Sequence, residues 1–116
     1  MNLNKLTLKM QEALTSSQDI ASSERAPEIH PLHLLRAVIN QSDGLAKPLL
    51  QSLCENIQVL EDSVIKAIND LPKVTGSEAM PSIGSDLANV LKEAESEKTK
   101  MGDEYLSIEH VMLAFS

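Results

Sequence analysis

The side chains best suited to chemistry in this sequence are three histidines, a single cysteine and a group of carboxylates late in the chain. His30 and His33 are three positions apart, so both imidazoles could face one metal ion. No further ligand stands at a suitable spacing, and packing at a helix start is therefore the favoured interpretation. Cys54 has no neighbouring cation and the adjacent Glu55 disfavours a thiolate, so a small buried residue is predicted there.

Asp103 and Glu104, with Glu109 nearby, are the carboxylates whose spacing could serve acid–base chemistry. Glu109 is equally explained by electrostatics, because an anion in the first turn of a helix is stabilised by the unpaired N–H groups there. A phosphate-binding loop requires glycines that flank a Lys-Ser or Lys-Thr pair, and the sequence has no such segment. We therefore expect no catalytic residue, cofactor or metal in this chain. A small metal- or thiol-dependent enzyme is the competing hypothesis, which elemental analysis and Cys54→Ser would test.

Composition favours one helical domain. The 116 residues are enough for a single core, and 42% of them are hydrophobic. With one Phe, one Tyr and no Trp that core must be aliphatic, which favours packed helices over a sheet. The net charge of −7 disfavours nucleic acid and anionic membranes as partners. A lone cysteine excludes an intrachain disulfide and the first residues lack the apolar core of a signal peptide, so a cytoplasmic location is expected.

A repeated segment organises the chain. Residues 29–37 (IHPLHLLRA) correspond to residues 106–114 (LSIEHVMLA), and His33 and His110 lie 77 positions apart (110 − 33). The same ungapped shift superposes further apolar positions: Met10 on Leu87, Leu14 on Leu91 and Ile29 on Leu106. One offset that serves two helices and the loop between them indicates a duplication.

Apolar residues at helical spacing predict six helices, four in the first half and two in the second. The first runs from about Lys5 to Ser22, the second starts near Pro31, the third covers 45–53, and the fourth is capped by Asn56 and ends before Pro72. The fifth is capped by Ser85 or Asp86, and the sixth by Ser107, a better cap than its counterpart His30.

The predicted fold class is an all-α bundle of two pseudo-repeats. Repeat one covers residues 1–71, a linker rich in Pro and Gly covers 72–84, and a partial repeat two covers 85–116. Two helices follow the repeated motif in the first half, and nothing corresponds to them in the second. We therefore expect the chain to be a fragment cut inside the second repeat.

The duplication and three local motifs resemble the amino-terminal domain of the Clp ATPases, and within them the ClpB-type disaggregases most closely. The motifs are Leu-x-x-Leu-Thr at Leu3–Thr7, Leu-Pro-Lys-Val-x-Gly at Leu71–Gly76, and Gly-Asp-x-Tyr-Leu-Ser at Gly102–Ser107. The resemblance covers nearly all of the chain. Its specificity comes from the order of the motifs and from their shared offset.

The resemblance implies a non-catalytic domain that binds unfolded or aggregated polypeptide in a groove between the repeats. The implied partner is the protein's own homohexameric ATPase ring, whose separate modules would hold ATP and magnesium. The polar groove residues carried over from the family are Thr7, Asp103 and Glu109, joined by Tyr105, Glu97 and His110. Relatives commonly have apolar residues where this chain has Glu93, Glu97 and His110, so acidic groove edges are expected to favour segments that carry Lys or Arg. The alternative is an adaptor-docking domain of a Clp protease ATPase subunit.

Overall fold

Helices and two short parallel strands make up the chain where the structure describes it. The computed structural model describes residues 3–41, 46–53, 56–74 and 81–115. Its elements are a 3-10 turn (Leu3–Lys5), helices α1 (Leu8–Ser23), α2 (Pro31–Ile39), α3 (Ala46–Leu53), α4 (Ile57–Asn69), α5 (Ser85–Lys100) and α6 (Ile108–Phe115), and strands β1 (Glu28–Ile29) and β2 (Ser82–Ile83). The predicted all-α class is confirmed. Cys54 lies outside the described residues.

Helix α1 begins three residues later than the apolar spacing indicated. Leu6 is paired in extended form with Leu106, so it cannot be helical. Thr7 then caps the helix, and its Oγ1 accepts a hydrogen bond from Met10 N at 3.2 Å. The predicted start at Lys5 was wrong because a buried leucine in a short strand pair has the same spacing as one on a helix.

Helix α5 begins without a side-chain cap, contrary to the expectation of Ser85 or Asp86. Its N-cap residue is Gly84, which has no side chain to accept a hydrogen bond. The carboxylate of Glu28, from β1, fills the space that a Cβ at position 84 would need. A carboxylate at this end of a helix is favoured by the helix dipole, so repeat one supplies the anion that the cap residue lacks.

The sequence predicted the N-cap residue of α4, but it gave less weight to the N-cap residue of α2. Asn56 caps α4 as predicted, with its Oδ1 accepting from Gln58 N at 3.0 Å. His30, which the sequence ranked below Ser107, caps α2 through Nδ1, which accepts from Leu32 N at 3.1 Å. An imidazole nitrogen with a free lone pair can therefore serve where Ser or Asn is usual.

The structure repeats itself at the same offset of 77 residues that relates the sequences. Both α1 and α5 have 16 residues, and their bounds, 8–23 and 85–100, differ by 77 at each end. Helices α2 and α6 begin at Pro31 and Ile108, again 77 residues apart. The two pairs share one core of buried side chains: Leu6, Met10, Ala13, Ala21, Ala26, Ile29, Leu34, Val38, Leu87, Leu91, Ala94, Leu106, Ile108 and Val111.

Two short parallel pairings join one repeat to the other. Leu6 pairs with Leu106, and β1 pairs with β2 so that Ile29 faces Ile83. Moving Leu6 forward and Leu106 back by 77 positions gives Ile83 and Ile29. The two pairings are therefore copies of one contact, in which the segment before the first helix of each repeat meets the segment before the second helix of the other.

Helices α3 and α4 cover the remaining face of α2. Ile39, Val64 and Ile68 form a second buried cluster, with leucines from α2, α3 and α4 packed around it. The first repeat thus has a core of its own on one side of α2 and shares the other side with repeat two.

Helices α1 and α5 end in the same left-handed turn. Ala26 N donates to Ala21 O at 2.9 Å, the bond of a Schellman cap, and the residues 77 positions later repeat it. The left-handed residue is Arg25, with φ 57°, in repeat one and Gly102, with φ 72°, in repeat two.

Replacing Gly102 with alanine is expected to lower the free energy of unfolding by about 1–2 kcal/mol, measured by urea denaturation. A Cβ at position 102 would meet no atom within 4 Å, so the cost is that of the left-handed backbone alone. Arg25→Gly is the matched control, expected to be neutral or to stabilise by up to about 1 kcal/mol. Equal stability of Gly102→Ala and the unaltered protein would contradict the left-handed assignment.

Candidate functional site

A buried histidine stands at the start of the second helix of each repeat and makes the same hydrogen bond. His33 Nδ1 accepts from His30 N at 2.9 Å, and His110 Nδ1 accepts from Ser107 N at 2.9 Å. His33 is 0% exposed and His110 is 1% exposed. Because Nδ1 is an acceptor, the neutral ring carries its proton on Nε2 in both repeats. The two histidines pack at helix starts, as their repetition indicated.

The two histidines differ at Nε2. His110 Nε2 lies 2.8 Å from Asp103 Oδ2 and donates to that carboxylate. The residue 77 positions before Asp103 is Ala26, so His33 Nε2 is buried without an acceptor among the described residues. Burial lowers the pKa of His33 below its ordinary value of 6.5, and this is the largest cause, with His30 and Lys73 lowering it further and Glu24 opposing them.

Four of the six predicted site residues lie around the Leu6–Leu106 pairing. Thr7 N donates to Leu106 O at 3.0 Å, and Asp103 is bonded to His110 in the adjoining turn and helix. Tyr105, next to Leu106, is 46% exposed.

The other two predicted residues are placed on helices. Glu109 is exposed in the first turn of α6, and Glu97, on α5, lies 3.6 Å from Lys100 Nζ of the same helix. Thr7 and Asp103 are thus engaged in capping and in holding a histidine, while Tyr105 and Glu109 present their side chains to solvent.

A groove that the sequence did not reveal runs between the amino-terminal turn and α5. Its volume is about 680 Å³, and its lining comprises Lys5, Ile83, Ala88, Leu91, Lys92, Glu95 and Lys98. Lys5 belongs to repeat one and the rest to β2 and α5, so the groove lies between the repeats. None of the six predicted site residues lines it.

The groove follows from two differences between the repeats. In repeat one, Gln11 Nε2 donates to Leu6 O at 3.2 Å and Gln18 Nε2 donates to Pro81 O at 3.1 Å. The residues 77 positions later are Ala88 and Glu95. Alanine is too short to reach the backbone, and a carboxylate cannot donate to a carbonyl, so neither of these hydrogen bonds can form in repeat two.

Lysines dominate the charge of this groove. Lys98 Nζ lies 2.9 Å from Glu95 Oε2, and Lys5 Nζ lies 4.0 Å from Glu104 Oε1. Lys92 is exposed and makes no ion pair with any other residue that the structure describes. By contrast, a cavity of about 340 Å³ between α1 and α2 includes Glu12 and Asp19 in its lining. Lys92 therefore gives the groove between the repeats a net positive charge on an acidic chain.

No helix within the described ranges is long and apolar enough to cross a membrane. Among the same residues, no three His, Cys, Asp or Glu side chains are placed to hold a metal ion. The geometry defines a duplicated helical domain with a groove between its repeats.

Comparison with known proteins identifies the family. A family model described as the Clp repeat (R) N-terminal domain matches residues 5–116. Chaperone protein ClpB of Bacillus cereus is 40% identical over all of this chain and 14% of that protein. Chaperone protein ClpB of Mycobacterium leprae is 37% identical over 95% of this chain and 13% of that protein. This chain belongs to the Clp N-terminal domain family, and it spans about 14% of the length of the ClpB relatives.

Solved structures share the fold at lower identity. The N-terminal domain of the ClpV1 ATPase from E. coli EAEC Sci1 T6SS has a TM-score of 0.86 at 20% identity, over 97% of this chain and 68% of that one. The Hsp104 N-terminal domain from Candida albicans has a TM-score of 0.80 at 19% identity, over 95% of this chain and 72% of that one. The duplicated fold is therefore that of Clp ATPase N-terminal domains.

Proposed function

We propose that this domain engages exposed segments of unfolded or aggregated protein for an ATP-dependent chaperone of the ClpB type. The observation that carries the proposal is the 40% identity to a ClpB chaperone along the whole chain. In this proposal the domain does no catalysis. ATP and magnesium bind in ATPase modules elsewhere in the parent protein, which assembles as a cytoplasmic hexameric ring.

The surface between the repeats supports a binding role. It offers an open groove with Ile83, 44% exposed, at its wall, and Tyr105, 46% exposed, beside the Leu6–Leu106 pairing. Exposed apolar side chains flanked by charged ones are typical of surfaces that bind other chains weakly and reversibly. A limited groove suits a domain that must release its substrate to the ring.

The proposal is tested by adding a permanently unfolded protein, such as reduced and carboxymethylated lactalbumin, to the isotopically labelled domain. Backbone amide shifts are expected to cluster around Tyr105, Glu109 and the groove between the repeats. Glu109→Ala is expected to weaken binding about two- to fivefold, because Glu109, which lies outside the lining of the groove, would lose one exposed charge contact to a Lys or Arg of the unfolded protein. Asp103→Ala is less informative, because it also removes the acceptor of His110 Nε2.

Glu12→Ala, the same change on α1, is the control and should leave affinity unchanged. Shifts confined to the outer face of α4, around Val59 and Lys66, would overturn the assignment of the site. Absence of any binding to the unfolded protein would overturn the proposed function. Binding to the folded form of the same protein in preference to the unfolded form would point to the adaptor-docking alternative.

A further inference from the structure

We infer that the groove between the repeats takes an extended peptide segment in which an acidic residue adjoins an apolar one. In this arrangement a backbone N–H of the segment donates to the Ile83 carbonyl oxygen. The inference rests on the proposed function and names the class of segment that the domain selects.

Repeat one shows what the groove of repeat two lacks. There, the side-chain amide of Gln11 donates to the carbonyl oxygen of Leu6, and the amide of Gln18 donates to that of Pro81. The offset of 77 makes Ile83 the counterpart of Leu6, and Ala88 the counterpart of Gln11. Ala88 has no donor, so the Ile83 carbonyl is without the bond that Leu6 receives. A primary amide and a peptide N–H are equivalent donors, so an incoming backbone can take the place of the missing glutamine.

The apolar part of the segment is specified by the floor of the groove. Leu91, which is 3% exposed, and Ile83, which is 44% exposed, are the large apolar side chains in its lining. Ala88 also lines the groove, and its side chain is smaller than that of Gln11, its counterpart in repeat one. A volume of about 680 Å³ is within the range of pockets that hold compact ligands, so the groove has room for a few residues.

The charged side chains that line the groove determine which charge the bound segment should carry. Lys98 is paired with Glu95 at 2.9 Å and Lys5 lies 4.0 Å from Glu104, so Lys92 supplies the positive charge that no carboxylate balances. The whole chain carries −7, so this concentration of lysine runs against the composition. Charge complementarity selects for carboxylates in the bound segment, opposite to the Lys- or Arg-bearing segments expected from the sequence.

The test is a fluorescence anisotropy titration with two labelled eight-residue peptides, one alternating leucine with aspartate and one alternating leucine with lysine. The aspartate peptide is expected to bind at least tenfold more tightly at low ionic strength, with the difference shrinking as salt is added. Lys92→Glu is expected to reverse the preference. Lys66→Glu, the same change on the exposed face of α4, should leave both affinities as they were.

A second variant distinguishes binding of the peptide in the groove from a general attraction of the peptide to positive charge on the domain. Ala88→Gln combined with Glu95→Gln copies repeat one into repeat two, at two sites where glutamine is compatible with a helix. Closing the groove should weaken binding of the aspartate peptide at least tenfold, even though the variant has one negative charge fewer. If attraction were diffuse, the same variant would bind more tightly. Thermal unfolding of the variant verifies that it is folded.

The outcomes are distinct. Equal affinity for the two peptides, or unweakened binding by the glutamine variant, would overturn the inference. Binding of the unfolded protein without binding of either peptide would overturn the inference and leave the proposed function standing. Binding of neither the peptides nor the unfolded protein would overturn both.

Discussion

Replacing Leu106 with alanine is expected to lower the free energy of unfolding by about 2–5 kcal/mol, measured by urea denaturation. Leu106 is 0% exposed and belongs to the core shared by the repeats. Its N–H donates to Lys5 O at 2.8 Å and its carbonyl accepts from Thr7 N at 3.0 Å, so its position is fixed by the backbone. The surrounding residues cannot easily collapse into the cavity, which places the effect towards the upper part of this range.

Leu8→Ala is the matched control for that substitution. Leu8 is 71% exposed at the first turn of α1, only two residues from the partner of Leu106. Its truncation is expected to change the free energy of unfolding by less than about 0.5 kcal/mol. If Leu106→Ala cost no more than Leu8→Ala, the two repeats would not be joined through this pairing.

The domain is expected to lose stability as the pH falls below about 6.5, because the pKa of His33 is lower in the folded protein than in the unfolded chain. Below the unfolded-state pKa, the unfolded chain takes up a proton that the folded chain does not. The contribution of neutral His33 is complete above this range and is lost progressively until the folded-state pKa is reached. A proton on Nδ1 would also break the bond from His30 N.

His33→Asn tests this expectation, since the Oδ1 of asparagine can accept from His30 N but does not titrate. The decrease in the free energy of unfolding that this substitution causes should be smaller at pH 5.5 than at pH 7.5, as measured by urea denaturation at both pH values. An equal cost at the two pH values would show that His33 is not the group responsible. A proton titration of the His33 ring followed by NMR provides a second reading.

The duplication was the part of this fold that the sequence could reveal. Amphipathic helices carry a strong periodic signal, and one offset applied to His33 and His110 located the corresponding helices. The same offset also contained the difference between the histidines. Position 26 holds alanine where position 103 holds aspartate, so a comparison of the two copies could have predicted which imidazole lacks an acceptor.

The strand pairings between the repeats could not be predicted from the hydrophobic pattern of the sequence. Strands of two residues, such as Glu28–Ile29, are too short for alternation to show. The groove was missed for a related reason, since it results from a missing side chain at Ala88 and not from any motif. The six proposed site residues came from resemblance, and their role in binding stays a prediction.

The reciprocal pairing of Leu6 with Leu106 and Ile29 with Ile83 has a consequence for the origin of the fold. In each pairing, the segment before the first helix of one repeat meets the segment before the second helix of the other. Reciprocal contacts of this kind have the form of an isologous interface. Two separate copies of a single ancestral half could therefore have assembled as a two-fold symmetric homodimer before gene fusion. In the fused chain the halves are not identical, and the half that has Ala88 and Glu95 where the other has Gln11 and Gln18 is the one that provides most of the lining of the groove.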